Sequence, residues 1–390
     1  MAINNNPSIV AFSGAANEMI EEARRQLQQK LSLEGFGQEQ QTASDYIYFI
    51  SGGSEQQAIR LLKHGTLNLL VAGSGNNAWA AATEVKAYAM QHSFQAQLIA
   101  VYADDFAEQL RQWLSVKRAF DNLSGQRVGL IGKVSEWLVA SAPESSLLRQ
   151  RFGIELVELD YDALPDYLAC EADLQFSEAF PKNTIQPDAL ASISGFLKQT
   201  LKTYKLDALT LQCFRMVKER GVTACLPVAL MNYNGVPAGC EGDLVSIAGI
   251  MFLKALTGHI AWMANMVKVD KDRILLAHCT APLQYAASHT ITSHYETDIS
   301  AALQAELSFE TVTILRMNEQ MNTAFLAIGE VIQRPNNRDA CRTQIEVSIS
   351  EGSSKHLINN PLGNHHLVLP GDFYDIIQKA LQSKGIEILS

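Results

Sequence analysis

Three short stretches carry residue types that could share one chemistry. The first is Val236-Pro-Ala-Gly-Cys-Glu-Gly-Asp243, where Glu241 and Asp243 end a short β-type run and the apolar segment Leu244 to Leu256 follows with helical spacing. Two carboxylates at the mouth of a strand-to-helix turn stand where α/β folds collect ligands. Alone, such a turn reads as a helix N-cap more readily than as a ligand pair. The second and third stretches shift that balance: Leu276-Ala-His278-Cys279 and Gly363-Asn-His365-His366-Leu367 add imidazoles. Carboxylate with imidazole suits a divalent transition ion, so Glu241, Asp243, His278, His365 and His366 are the candidate metal ligands. Side chains alternate along a strand, so only one of His365 and His366 can face a given site.

Elements that would position these residues follow from the pattern of the chain. Ser8 to Phe12, Asp45 to Ile50 and Leu67 to Ala72 are apolar runs separated by helix-like stretches, the alternation of a parallel sheet flanked by helices. The loop Gly73-Ser-Gly-Asn-Asn77 follows the third run and opens a helix. Gly73, Ser74, Asn76 and Asn77 could bind hydroxyls or an anion, or could simply form a Gly-rich turn capping that helix. Without GxGxxG it is no dinucleotide fingerprint. A second α/β series begins near Ser124, with strands expected at Val128–Gly132, Phe152–Leu159, Leu206–Cys213 and Arg273–Ala277. His278 then lies at a strand end on the same edge as Glu241 and Asp243. From Pro282 onward the pattern turns β-rich, with no long helix expected before Phe373 to Gln382, as in an antiparallel sheet or small barrel. The expected fold is therefore α/β: two Rossmann-like parallel-sheet domains, 1–124 and 125–281, followed by a β-rich domain, 282–390.

Composition limits the function classes. The chain has 390 residues, 47% hydrophobic and 18% charged, enough for two or three domains of about 100 to 200 residues each. No apolar run has the length of a membrane span, and Met1 to Asn6 show no basic and apolar signal pattern, so a cytoplasmic protein without a membrane partner is expected. A formal charge of −10 without basic clusters argues against nucleic acid. The 6 cysteines form no CxxC pair, and Cys240 and Cys279 read as small buried residues beside a site.

Taken together, the acidic turn before a helix, the histidine after the next strand and the late GxHH resemble the L-fucose isomerase and L-arabinose isomerase superfamily. The similarity runs over roughly Asp207 to Leu389 and includes Thr311 to Leu315 with Arg316 and the Ile328-Gly-Glu330 turn. The resemblance implies aldose to ketose interconversion, a divalent metal such as manganese, and a homo-oligomer, trimer or hexamer, in which the Gly73 to Asn77 loop closes a neighbour's site. It implies metal ligands at Glu241 or Asp243, at His278, and at His365 or His366, with Glu241 and Asp243 as the catalytic carboxylates. Moving a carbonyl to the next carbon passes through an enediolate, so it needs a charge-stabilising ion and groups that move protons. The family's further glutamate is replaced here by Cys213 and Phe214. Lys218 and Glu219 are the nearest charged residues, and Lys218 is a candidate for substrate contact. Three readings follow: a sugar isomerase, another metal-assisted sugar or sugar-acid enzyme such as an epimerase or lyase, and a sugar-binding protein without catalysis.

Overall fold

The computed structural model describes residues 6–36, 44–181 and 183–390. Met1 to Asn5, which carry most of the amino-terminal reading, lie outside the described residues. The chain forms two compact units, Met1–Asp121 and Asn122–Ser390.

The first unit is a parallel sheet of β1 (Pro7–Val10), β2 (Tyr46–Phe49), β3 (Asn68–Ala72) and β4 (Ala96–Ala100), in that spatial order. The β2 and β3 strands are buried throughout, as continuous apolar runs covered on both faces must be. The β4 strand falls outside the expected series, since Ala96-Gln-Leu-Ile-Ala100 is short and only partly buried.

The second unit holds a parallel sheet and a barrel. β5 (Arg127–Ile131), β6 (Glu155–Leu159), β7 (Ala208–Leu211) and β8 (Ala238–Cys240) form the parallel sheet in the order β6-β5-β7-β8. Next come β9 (Trp262–Asp270), β10 (Arg273–His278), the hairpin of β11 (Ala286–Thr292) and β12 (Ala302–Leu307), β13 (Thr311–Met317), β14 (Thr323–Gln333), β15 (Thr343–Ser348) and β16 (His365–Pro370). Strands β13, β16, β9, β10, β15 and β14 pair antiparallel in that order, and β14 pairs back to β13. That closes a barrel and leaves its central strands without a free edge. The final strand, β17 (Glu387–Leu389), adds to β14 in parallel.

The architecture agrees with the expected fold class, but one strand belongs elsewhere. β10 was expected to continue the parallel sheet, whereas it pairs antiparallel with β9 and β15. The β-rich part thus takes in residues from Trp262, ahead of its expected start at 282. A buried apolar run looks the same in either sheet, and only its partners differ. A short helix at Glu351–Asn359 also lies within the β-rich part, ahead of the helix at Tyr374–Ser383. Its Ser350 side chain accepts from Ser353 N, a cap that precedes only one hydrophobic turn.

Helix Leu244–Thr257 ties the two layers together. Its residues Leu244 to Leu253 are all buried, because it lies between β7 and β8 on one side and β13 and β16 on the other. A helix covered all round needs apolar residues all round. Gly249 permits the close approach of the barrel, since a Cβ there would stand 2.4 Å from Leu367 Cδ1. The helix amino terminus, with Asp243, is thereby held against the barrel residues Arg316 and His365.

Candidate metal centre

The acidic turn is built from unusual backbone. Glu241 has φ 63° and Gly242 φ 69°, both left-handed. A Cβ on residue 242 would lie 2.5 Å from Lys133 O, so only glycine fits. A non-glycine residue held at positive φ costs about 1 kcal/mol or more, and such positions concentrate at functional sites. Ser135 N donates to Glu241 O at 2.9 Å and fixes the turn.

Glu241, His278 and His365 converge: one ligand atom from each lies within 4.8 Å of the others, and all three residues are buried. His365 Nε2 is 3.6 Å from Glu241 Oε1, and the two imidazole rings are 5.8 Å apart between centroids. Trp137 Nε1 donates to Glu241 Oε2 at 2.5 Å, which orients the carboxylate.

Asp243 stands behind this group. Its Oδ1 accepts from Ser246 N at 2.7 Å as the helix N-cap, and its Oδ2 accepts from His365 Nδ1 at 2.9 Å and from Arg316 Nη1 at 3.3 Å. Arg316 is buried and also donates to Ser246 Oγ, Ala140 O and Ser141 Oγ. Gly363, with φ 142°, makes room for it, since a Cβ there would be 2.3 Å from Arg316 Nη2. Asp243 is therefore a positioning carboxylate: it fixes the proton on His365 Nδ1 and turns Nε2 toward Glu241. Among the described residues, the buried Nε2 of His365 has no hydrogen-bond partner. Carboxylate to histidine to metal is the usual way a ligand imidazole is oriented, so the donor set fits a divalent ion.

Electrostatics follow from the same contacts. Burial opposes ionisation of Asp243, but Arg316 and His365 outweigh it and hold the carboxyl well below the usual carboxylate range. Burial likewise works against Glu241, whose carboxyl is nevertheless lowered by His365, His278 and Trp137. Burial pushes His278 down to about 4, with His365 adding to the effect. The same desolvation would lower His365, yet its hydrogen bond to Asp243 and the nearby charge of Glu241 raise it to about 9. His278 Nδ1 accepts from Thr280 N at 3.2 Å and lies 2.8 Å from Thr280 Oγ1, which together fix the ring's orientation.

Of the other sequence candidates, those in the second unit stand outside this group. His366 faces the opposite side of β16, with Nδ1 donating to Asn364 O at 2.8 Å and its ring against Phe325. Burial pushes it down to about 3. Lys218 is exposed on the last turn of helix Cys213–Arg220 and does not line the cavity beside Glu241. Glu219 accepts from Arg215 Nε at 2.8 Å. Gly73, Ser74, Asn76 and Asn77 belong to the first unit, where Gly73 N donates to Phe49 O, Gly52 N donates to Asn76 O, and Asn77 makes no side-chain cap bond.

No family model matches the chain, and no curated protein matches it.

A cavity of about 450 Å³ opens beside Glu241. Trp137, Phe214 and Tyr295 give it aromatic walls, and Asn265, Glu296 and Asn364 give it polar groups. The Trp137 and Phe214 rings meet edge to face, 4.8 Å between centroids. Phe214, conspicuous in sequence only as the residue standing where a carboxylate was expected, is thus a cavity wall. Trp137 and Glu296 escaped sequence reasoning because they sit in irregular loops without periodicity. The nearest signal was Trp137 itself, a half-exposed tryptophan following a buried strand.

Proposed function

We propose that the protein is a metal-dependent enzyme that enolises a sugar or a related polyhydroxy carbonyl compound, with aldose to ketose isomerisation as the reaction. The observation that carries this reading is the partnerless Nε2 of His365, oriented by Asp243 and aimed at Glu241 and His278 in a buried pocket. Glu241, His278 and His365 would hold the ion, and the mixed oxygen and nitrogen set favours manganese or cobalt over calcium. When bound, such an ion stabilises negative charge on the oxygens of an enediolate.

The remaining steps belong to the protein. Trp137 holds one oxygen of Glu241, so the carboxylate presents the other toward the imidazoles. Glu241 is the proton carrier of this group, because it opens on the cavity while Asp243 is enclosed by Arg316, Ser246 and His365. The aromatic walls suit the C–H faces of a sugar, and the asparagines its hydroxyls. The resemblance to the fucose and arabinose isomerases favours isomerisation over epimerisation, elimination or simple binding. A homo-oligomer belongs to the same reading.

The test is exchange of the hydrogen on the second carbon of an aldose in heavy water with manganese-loaded protein. Exchange above the metal-free control, together with ketose formation, supports isomerisation. Exchange without ketose would indicate an epimerase or a lyase, and binding without exchange a sugar-binding protein. A panel of aldoses with no exchange at all would contradict the enzyme reading.

A further inference from the structure

A second cluster of ligand atoms stands around Cys279, the residue after His278. The Sγ of Cys279, the Sγ of Cys341 and a carboxylate oxygen of Glu296 all lie within 4.8 Å of one another. Three separate segments bring them together: the end of β10, the loop between β11 and β12, and the residues entering β15. Both cysteines are free and buried. Cys341 Sγ is 3.8 Å from Glu296 Oε1 and receives a hydrogen bond from Asn265 Nδ2 at 3.6 Å. His294 flanks the cluster, its Nε2 3.3 Å from Glu296 Oε2 and its Nδ1 3.1 Å from Thr297 Oγ1.

Packing alone gives little reason for this arrangement. Glu296 is exposed, and a thiol is only a weak donor to its carboxylate. Two soft sulfurs and one oxygen become compatible when a cation draws them together. We propose that Cys279, Cys341 and Glu296 form a second cation site, selective for a thiophilic divalent ion of the zinc class. Zinc takes thiolate at about 2.3 Å and carboxylate oxygen at about 2.0 to 2.2 Å. Ligand atoms within 4.8 Å of each other close onto such an ion by small side-chain rotations. Cys341 and Glu296 line the same cavity as Glu241, so a fourth position can face that cavity and accept water or a ligand oxygen. Three protein ligands with one open position mark a site that takes an exogenous ligand, where a closed structural site would use four. The two groups differ in softness. Glu241, His278 and His365 offer only oxygen and nitrogen, whereas the second set offers sulfur.

Cobalt titration of the reduced, metal-free full chain, followed by absorption spectroscopy, separates the two groups. Thiolate-to-cobalt charge transfer in the near ultraviolet requires sulfur ligation, which the Glu241 group lacks. The expected result is charge-transfer bands that saturate at about one equivalent and are displaced by zinc. They should persist in His365→Ala, disappear in Cys341→Ser, and need at least about tenfold more cobalt in Glu296→Gln. Cobalt binding by the wild-type protein without these bands would overturn the proposal, and that spectrum decides even if a variant fails to fold. Bands that survive Cys341→Ser, or an unchanged cobalt affinity in Glu296→Gln, would overturn it as well. Because the readout is spectroscopic, failure of the sugar reaction would leave this outcome unaffected.

Discussion

The two parallel sheets of this chain use the same device with opposite results. In the first unit, β3 runs through Gly73 to Asn77 into helix Ala78–Gln91, and the turn stays open: Ser74 to Asn77 are exposed, and Trp79 and Tyr102 nearby are 45% and 54% exposed. In the second, β8 runs through Glu241 to Asp243 into helix Leu244–Thr257, and a barrel covers the turn, leaving Asp243 and His365 fully buried. Asn77 at the first helix makes no cap bond. Asp243 at the second caps its helix and also engages Arg316 and His365 from the barrel. A strand-to-helix turn becomes an electrostatic site when a second layer excludes water and supplies counter-charges, because interactions between charges strengthen as the local dielectric falls.

The largest effect should come from removing the counter-charge. Arg316→Met leaves Asp243 buried with one partner fewer, and breaking a buried pair in this way costs about 3 to 5 kcal/mol. Denaturant unfolding of the second unit should show a loss of that order. A loss below about 1 kcal/mol, the range of an exposed pair, would erase the contrast between the turns.

Metal affinity comes next. Trp137→Phe keeps the ring but removes the donor to Glu241, and loss of an outer hydrogen bond to a ligand lowers affinity about 10 to 100-fold. Calorimetric titration with manganese would measure it. An unchanged affinity would mean that Glu241 is oriented without Trp137.

Acid should act on the two units in opposite directions in the metal-free protein. His278 and His366 have folded values of about 4 and about 3, below the ordinary histidine value of 6.5. The unfolded chain therefore takes up protons that the folded chain refuses, and stability drains as pH falls from 6.5 toward those values. Asp243, depressed below 3.8, adds to the loss at lower pH. His365 works the other way: its contribution is complete below 6.5 and is lost as pH rises through about 9. In the first unit burial raises Asp45 above 3.8, so acidification near that range favours its folded form. Hydrogen exchange resolved by segment should show β16 losing protection between pH 6.5 and pH 4 while β2 does not. Equal loss in both would contradict this account.

How much of this was legible in the sequence differs from residue to residue. The acidic turn, His278 and the alternation that separates His365 from His366 could be read because strand and helix periods are local. The barrel partner of β10 could not, since pairing is a property of distant segments. Arg316 was visible only within a resembling stretch, and nothing local marks it as the partner of Asp243, 73 residues away. Asp243 itself looked equivalent to Glu241 in sequence. The helix start separates them: Asp243 is the N-cap facing Ser246 N, while the left-handed Glu241 projects toward the imidazoles. Glu296 and Cys341 lie in loops whose course no periodicity predicts.

The smallest effect belongs to the open turn. Asn77 sits at φ 58°, which glycine adopts more easily, so Asn77→Gly should change stability by no more than about 1 kcal/mol. A larger loss in denaturant unfolding would show that the Asn77 side chain is held by contacts like those of Asp243.

The most direct measurement is manganese binding followed by the paramagnetic signal of the free ion, because a hard ion selects the oxygen and nitrogen group over the sulfur group. The wild-type chain should remove about one manganese per chain from solution, and His365→Ala should abolish that uptake while the protein stays folded. No uptake by the wild type, or equal uptake by His365→Ala, would contradict a metal centre at Glu241, His278 and His365.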